Sequence, residues 1–313
     1  MATLAIVAVL VCAGAVVTLI GTRLIEWGQS PRGRFIEVDG LQQHVVELES
    51  SDPQKKTVVV LLHGAACNLE DMHLALGEGL ATRHRVILVD RPGLGWSERK
   101  LGEGSSPADQ AAVLRQVLDQ LGAERSILIG HSWGGALALT FALDYPQRVA
   151  GLVLVAPPVH PWLPVTTWIY TGLALPVIGP LLAHTVALPF GVLVIGLGFR
   201  GAFYPQIPPR GYLQRAAAFL VLRPAAFLAN ANDIGHLEKF LKRQGPRYAT
   251  LSVPTILITG DRDMIVSPLH HAMELAAAVP HAKLEVLPGY GHMLHHAAAD
   301  RVIAAVEELA GGA

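Results

Sequence analysis

Three residues carry, in chain order, the functional groups of acyl transfer: Ser132, then an aspartate at 261 or 263, then His292. Ser132 sits in Gly130-His131-Ser132-Trp133-Gly134-Gly135, a G-x-S-x-G pattern between an apolar run and a stretch of helical spacing. That order puts a serine on a sharp strand-to-helix turn, where small neighbours let other backbone approach while Oγ projects outward. A serine hydroxyl is a weak nucleophile at neutral pH. It needs an imidazole to take its proton, and the imidazole needs a carboxylate to orient it. Gly260-Asp261-Arg262-Asp263 follows one apolar run and Gly289-Tyr290-Gly291-His292 another. Both loops therefore fall at the ends of strands, on the sheet edge where active sites assemble.

The elements that must position these residues are legible as short apolar runs bounded by turn residues. Strands are predicted at 35–38, 44–48, 57–62, 86–90, 127–130, 152–155, 255–259 and 284–287. Helical apolar spacing is found over 108–121, 136–145, 268–278 and 297–309. Alternation of strand with helix predicts a parallel sheet covered on both faces. Residues 157–250 break the alternation, and a segment of about a hundred residues is too long for an ordinary crossover. The expected organisation is an N-terminal transmembrane anchor (1–24), a catalytic domain in two pieces (31–156 and 251–313) and an inserted cap (157–250).

Composition narrows the function further. The 313 residues carry a formal net charge of −1 with no Lys/Arg run, so nucleic acid has no electrostatic footprint to bind. Cys12 and Cys67 make no disulfide framework. No phosphate-loop or H-E-x-x-H zinc motif is present, and neither cofactor nor metal is expected. Residues 2–20 are free of charge and reach the roughly 20 residues that a helix needs to cross a bilayer. Met1-Ala2-Thr3 offers no basic n-region, which favours a retained anchor over a cleaved signal. Arg23, Arg32 and Arg34 follow the run, and the positive-inside rule then puts the catalytic domain on the cytoplasmic side. Residues 149–199 hold no Asp, Glu, Lys or Arg, yet Pro176, Gly179, Pro180, Pro189 and Gly191 break the apolar part into pieces too short for a second span. No acidic residue occurs in 145–232, while Arg148, Arg200, Arg210, Arg215 and Arg223 do, beside Trp162 and Trp168. That mixture fits either a bilayer-facing cap or a lid that lines the pocket. His295 and His296 are expected as polar surface.

With these motifs in hand, the chain resembles the capped α/β-hydrolase superfamily from about residue 35 to the last helix. Four places carry the likeness: the serine motif; Asp263-Met264-Ile265-Val266 with His292; Leu61-Leu62-His63-Gly64-Ala65; and Asp90-Arg91-Pro92-Gly93-Leu94-Gly95-Trp96-Ser97. The resemblance implies an α/β-hydrolase fold, a mostly parallel eight-stranded sheet with helices on both faces and an inserted helical cap. It assigns the acid to Asp263 rather than Asp261, and the oxyanion hole to the amides of Ala65 and Trp133. His63 and the Asp90 turn become structural. The implied activity is that of a serine esterase or lipase acting on a lipophilic ester without a cofactor, similar to membrane-anchored monoacylglycerol lipase-like hydrolases. Carbon–carbon bond hydrolases and cofactor-free haloperoxidases share the triad, and a triad-bearing binding protein is the non-enzymatic alternative. Epoxide hydrolases and haloalkane dehalogenases of this fold use an aspartate where Ser132 stands.

Overall fold

The computed structural model describes residues 1–50, 57–161, 170–173 and 175–311; Trp162 and Trp168 lie outside them. All eight expected strands are present: β1 (Arg34–Val38), β2 (Leu41–Leu48), β3 (Val58–Leu62), β4 (Arg85–Val89), β5 (Ser126–His131), β6 (Val149–Val155), β7 (Thr255–Gly260) and β8 (Lys283–Leu287). They form one sheet in the order β1-β2-β4-β3-β5-β6-β7-β8. The β1–β2 and β2–β4 pairs are antiparallel and every other pair is parallel.

Central strands alternate their side chains between two dry faces. Val60, Leu62, Leu128 and Leu154 pack with Leu114 of helix α2 (Pro107–Gln120) and Leu137 and Phe141 of helix α3 (Trp133–Asp144). Val59, Leu61, Ile127, Ile129 and Val153 face the other way, onto Val302 and Val306 of the C-terminal helix Ala299–Gly311. Each such side chain buried from water contributes about 1.5–3 kcal/mol. Helix α2 begins at Pro107 because Ser106 and Asp109 form a reciprocal capping box around a proline that needs no N–H partner.

Several boundaries differ from the expectation: β6 begins at Val149 rather than 152, and helix α3 at Trp133 rather than 136. Strand β2 starts at Leu41 rather than 44, because Gln42 and Gln43 lack the apolar signal yet pair with β1. The helix predicted over 268–278 is confined to Ala272–Ala278. The last helix is split into Leu294–Ala297 and Ala299–Gly311.

Between β6 and β7 runs the insertion, with helices α4 (Ile178–Thr185), α5 (Ala187–Phe203) and α6 (Pro224–Gln244). Helix α6 is fixed to the sheet domain by Asp233, which is fully buried. It accepts from Arg91 at 2.7 Å, from Arg99 and from Gln110, and Arg91 also stacks on the Trp133 ring at 4.0 Å. Buried charges of this kind persist only when fully paired. The N-terminal helix α1 (Ala2–Gly28) lies against α4 and α5.

Candidate active site

Ser132 occupies the turn between β5 and α3 with φ 51° and ψ −123°. A non-glycine residue there is strained by about 1–3 kcal/mol and persists only when its surroundings hold it. They do: its N–H donates to Val155 O at 2.9 Å, and its carbonyl accepts from Gly135 N–H at 2.7 Å. The two motif glycines are required by space. A Cβ on Gly130 would stand 2.3 Å from the Gly134 carbonyl oxygen, and one on Gly134 would stand 2.2 Å from the Leu62 oxygen.

Asp263 and His292 are brought together across the loops after β7 and β8, with Oδ2 2.7 Å from Nδ1. The other carboxylate oxygen of Asp263 accepts from the amides of Ile265 and Val266 at 2.8 and 2.9 Å, so the D-x-x-V turn locks the acid in place. Asp261 instead accepts from the Gly289 amide at 2.6 Å and shapes the loop. Ser132, Asp263 and His292 are all buried, at 8%, 7% and 5% exposure. His131, the residue before the serine, reaches across to the His292 carbonyl oxygen at 3.1 Å, and the two rings lie 4.9 Å apart. Among the described residues no hydrogen bond joins Ser132 Oγ to His292. Such bonds are often long in unliganded sites and tighten when substrate binds.

The loop after β3 runs beside the serine turn and holds the expected Ala65. His63 Nε2 accepts from the Arg91 amide at 3.0 Å, and the Arg91 side chain donates to the carbonyls of His63 and Gly64 at 3.1 and 3.2 Å. Burial, aided by the Arg91 cation, pushes the His63 imidazole down to about 4. It is a neutral loop support rather than a base. A Cβ on Gly64 would meet the Ser132 Cβ at 3.2 Å, so the loop passes directly beside Ser132. The Ala66 amide, next to Ala65, donates to Asn230 Oδ1 of α6 at 2.7 Å. Trp133 opens α3, so its amide has no helical carbonyl to donate to.

A family model described as the alpha/beta hydrolase fold matches residues 57–299, a stretch that contains the serine turn, both loops and the seven-residue His63-to-Leu69 segment beside them. The chain belongs to that family. Its relatives differ in what they act on. It is 25% identical over 292 residues to a 2-hydroxy-6-oxo-6-phenylhexa-2,4-dienoate hydrolase of Burkholderia cepacia, covering 86% of this chain and 93% of that one. It is 26% identical over 294 residues to haloalkane dehalogenase 2 of Mycobacterium bovis, covering 90% and 93%. Among solved structures, an esterase from Thermogutta terrifontis superposes with a TM-score of 0.70 at 22% identity, over 88% of this chain and 97% of that one.

One part of this α/β hydrolase's site departs from the sequence reading. His295 and His296 are not polar surface: His295 is fully buried, and both donate Nε2–H to the buried Asp71, at 2.9 and 2.8 Å. Tyr212 donates to the same carboxylate at 2.7 Å. Burial alone would raise the Asp71 carboxyl, but the two imidazoles hold it well below the usual range. Burial drives His295 down to about 4 against the pull of Asp71. The His131 ring lies 3.9 Å from that of His295, so a train of imidazoles joins the serine turn to the helix after His292. Asp71, His131 and His295 place ligand atoms within 4.8 Å of one another. The carboxylate stands 224 residues from its partner, where no local spacing reveals it. The apolar setting of the two histidines, Met293-Leu294 before and Ala297-Ala298 after, was the available sign of burial.

Proposed function

We propose that this α/β hydrolase cleaves carboxylic esters with lipophilic acyl chains through an acyl-enzyme on Ser132. The observation that carries the reading is the strained serine turn beside the buried Asp263–His292 pair at 2.7 Å. In this scheme His292 takes the Ser132 proton as Oγ attacks the ester carbonyl, and Asp263 holds the imidazole in the productive tautomer. The Ala65 and Trp133 amides receive the developing oxyanion, a term typically worth several kcal/mol of barrier. His292 returns the proton to the leaving alcohol, and water repeats the cycle on the acyl-enzyme. An uncharged insertion over residues 178–199 favours an acyl chain, because apolar burial gives affinity without demanding polar partners. Helix α1, 27 residues of mean hydropathy 2.8 with 6% of its apolar window buried, supports anchorage of the enzyme to a membrane.

A second reading, carbon–carbon bond hydrolysis, is favoured by the Burkholderia cepacia relative. Turnover of an ester series of increasing acyl length, set beside turnover of 2-hydroxy-6-oxo-6-phenylhexa-2,4-dienoate, separates them. Ester cleavage that rises with chain length supports the proposal. Efficient dienoate cleavage with ester turnover near background overturns it.

A further inference from the structure

Helix α1 does more than leave the domain. Its residues 14, 18 and 21 recur at one-turn spacing along a single face, and that face is seated on the insertion. A Cβ on Gly14 would lie 2.4 Å from the Thr185 carbonyl oxygen, and one on Gly21 would lie 2.6 Å from Leu188 Cδ2. Thr18 between them is 2% exposed. Backbones this close, across small residues, are how helices pair where no hydrophobic drive exists between them. The remaining faces of α1 are bare, with Leu4, Leu10 and Leu19 at 74%, 65% and 63% exposure.

The partner surface is equally bare. Helices α4 and α5 meet at a 74° bend, and Val177, Phe190, Leu193 and Leu197 point outward at 77%, 60%, 77% and 68% exposure. By length, α4 spans about 12 Å and α5 about 25 Å, so neither crosses a hydrocarbon core of about 30 Å alone. Hydrogen bonds run through the bend itself. Val186 N–H donates to the Leu182 carbonyl at 2.9 Å, Phe190 N–H to the Val186 carbonyl at 3.0 Å, and the Thr185 hydroxyl to the Leu181 carbonyl at 2.6 Å. Internal satisfaction of this kind is the condition for placing backbone in lipid.

Depth follows from the polar end of α1. Glu26 pairs with Arg223 at 3.4 Å, and Gln29 donates to the Gln214 carbonyl at 3.2 Å, so Arg223 and Gln214 share the level of the α1 terminus. Gly14 lies seven residues farther in than Gly21, about 10 Å along the helix axis, and it is Gly14 that touches Thr185. His184, the one ionisable side chain within 178–199, lines a cleft of about 810 Å³ between α1, α6 and the turn at 93–102. Apart from His184, the exposed side chains of 178–199 are apolar, and the next charge, Arg200, stands exposed in the last turn of α5.

The far end of the wedge is clasped to the catalytic loop. Gln206 Oε1 accepts from the Gly291 amide at 2.9 Å and its Nε2 donates to the Gly289 carbonyl at 2.8 Å. A Cβ on Gly291 would collide with the Tyr204 carbonyl.

We propose that α4 and α5 enter the same bilayer leaflet as α1, as a re-entrant wedge, and that the enzyme draws an acyl-chain lipid ester sideways out of the membrane to His292 and Ser132. The substrate class rests on the ester-hydrolase reading above; the wedge does not.

The experiment uses the full chain in phosphatidylcholine vesicles. In a Cys12→Ser background, Leu193→Cys carries an environment-sensitive fluorophore, challenged with doxyl-labelled lipid and with aqueous iodide. The expected result is quenching by doxyl lipid and protection from iodide; the reverse overturns the wedge. In parallel, Leu193→Glu is compared with the unsubstituted enzyme on a lipid ester held in the vesicles and on a soluble short-chain ester. A charge in hydrocarbon is penalised enough that lipid-ester turnover is expected to fall at least about tenfold, with the soluble ester unaffected. An equal rate on the lipid ester overturns lateral access. If the unsubstituted enzyme cleaves neither ester while the quenching holds, the ester reading has failed and the wedge stands.

Discussion

Acid should destabilise this protein steeply between pH 6.5 and 4, because it folds around neutral histidines. Burial drives His63 to about 4, with the Arg91 cation helping. It drives His271 to about 4, with His160 helping, and His295 to about 4 against Asp71. Each has an ordinary value of 6.5 when the chain is unfolded. The unfolded state therefore takes up protons first as pH falls, and stability is lost from pH 6.5 down to about 4. A depression of that size is worth about 3 kcal/mol per histidine, so three of them rival a domain's entire stability of about 5–15 kcal/mol. His44 runs the other way. Its burial is outweighed by Asp90 at 2.7 Å, so its value is raised; that contribution is complete below pH 6.5 and is lost as pH climbs through the folded value. Urea unfolding of the detergent-solubilised protein, followed by tryptophan fluorescence at pH 7, 6 and 5, measures the slope. His63→Gln, which keeps an acceptor for the Arg91 amide, should remove about 1.4 kcal/mol per pH unit from it. A stability that is flat or rises from pH 7 to 5 would refute the reasoning.

Asp263→Asn should lower ester turnover by roughly 10⁴-fold through the wrong imidazole tautomer, while Asp261→Asn, which keeps an acceptor for Gly289, is far milder; the reverse ranking moves the acid. Gly134→Ala should yield little folded protein, since its Cβ would strike the Leu62 carbonyl, and soluble expression with unaltered melting would contradict this. Asp233→Ala leaves Arg91 and Arg99 without their buried partner and should cost about 3–5 kcal/mol in urea unfolding; a loss below 1 kcal/mol would mean that the insertion is held by other contacts.

Legibility in the sequence followed the range of the interaction. Strands such as β3 and β5 were readable because fully buried parallel strands are continuous apolar runs, and the serine turn because its steric demands fix glycine at 130 and 134. Strand β2 was readable only from residue 44, since Gln42 and Gln43 face outward or bond to the Glu98 segment. The choice of Asp263 over Asp261 rested on the resemblance alone; that Asp263 is the one beside His292, held by the amides of Ile265 and Val266, shows only in the fold. Asp71 beneath His295, Asp233 beneath Arg91 and Asn230 beside Ala66 were invisible, because each joins residues more than a hundred positions apart. The seat of α1 was hidden for the same reason: Gly14 and Gly21 are plain in the sequence, but Thr185 and Leu188 become their partners only in the fold.

The central claim is that Ser132 is the nucleophile, and a fluorophosphonate tests it most directly. Peptide mass spectrometry after labelling should place the adduct on Ser132. Ser132→Ala should lose both the adduct and ester turnover while unfolding at the same urea concentration, and His292→Ala should lose nearly as much with no further loss in the double variant. An adduct on another residue, or a Ser132→Ala enzyme that keeps more than a few per cent of the rate, would contradict the account.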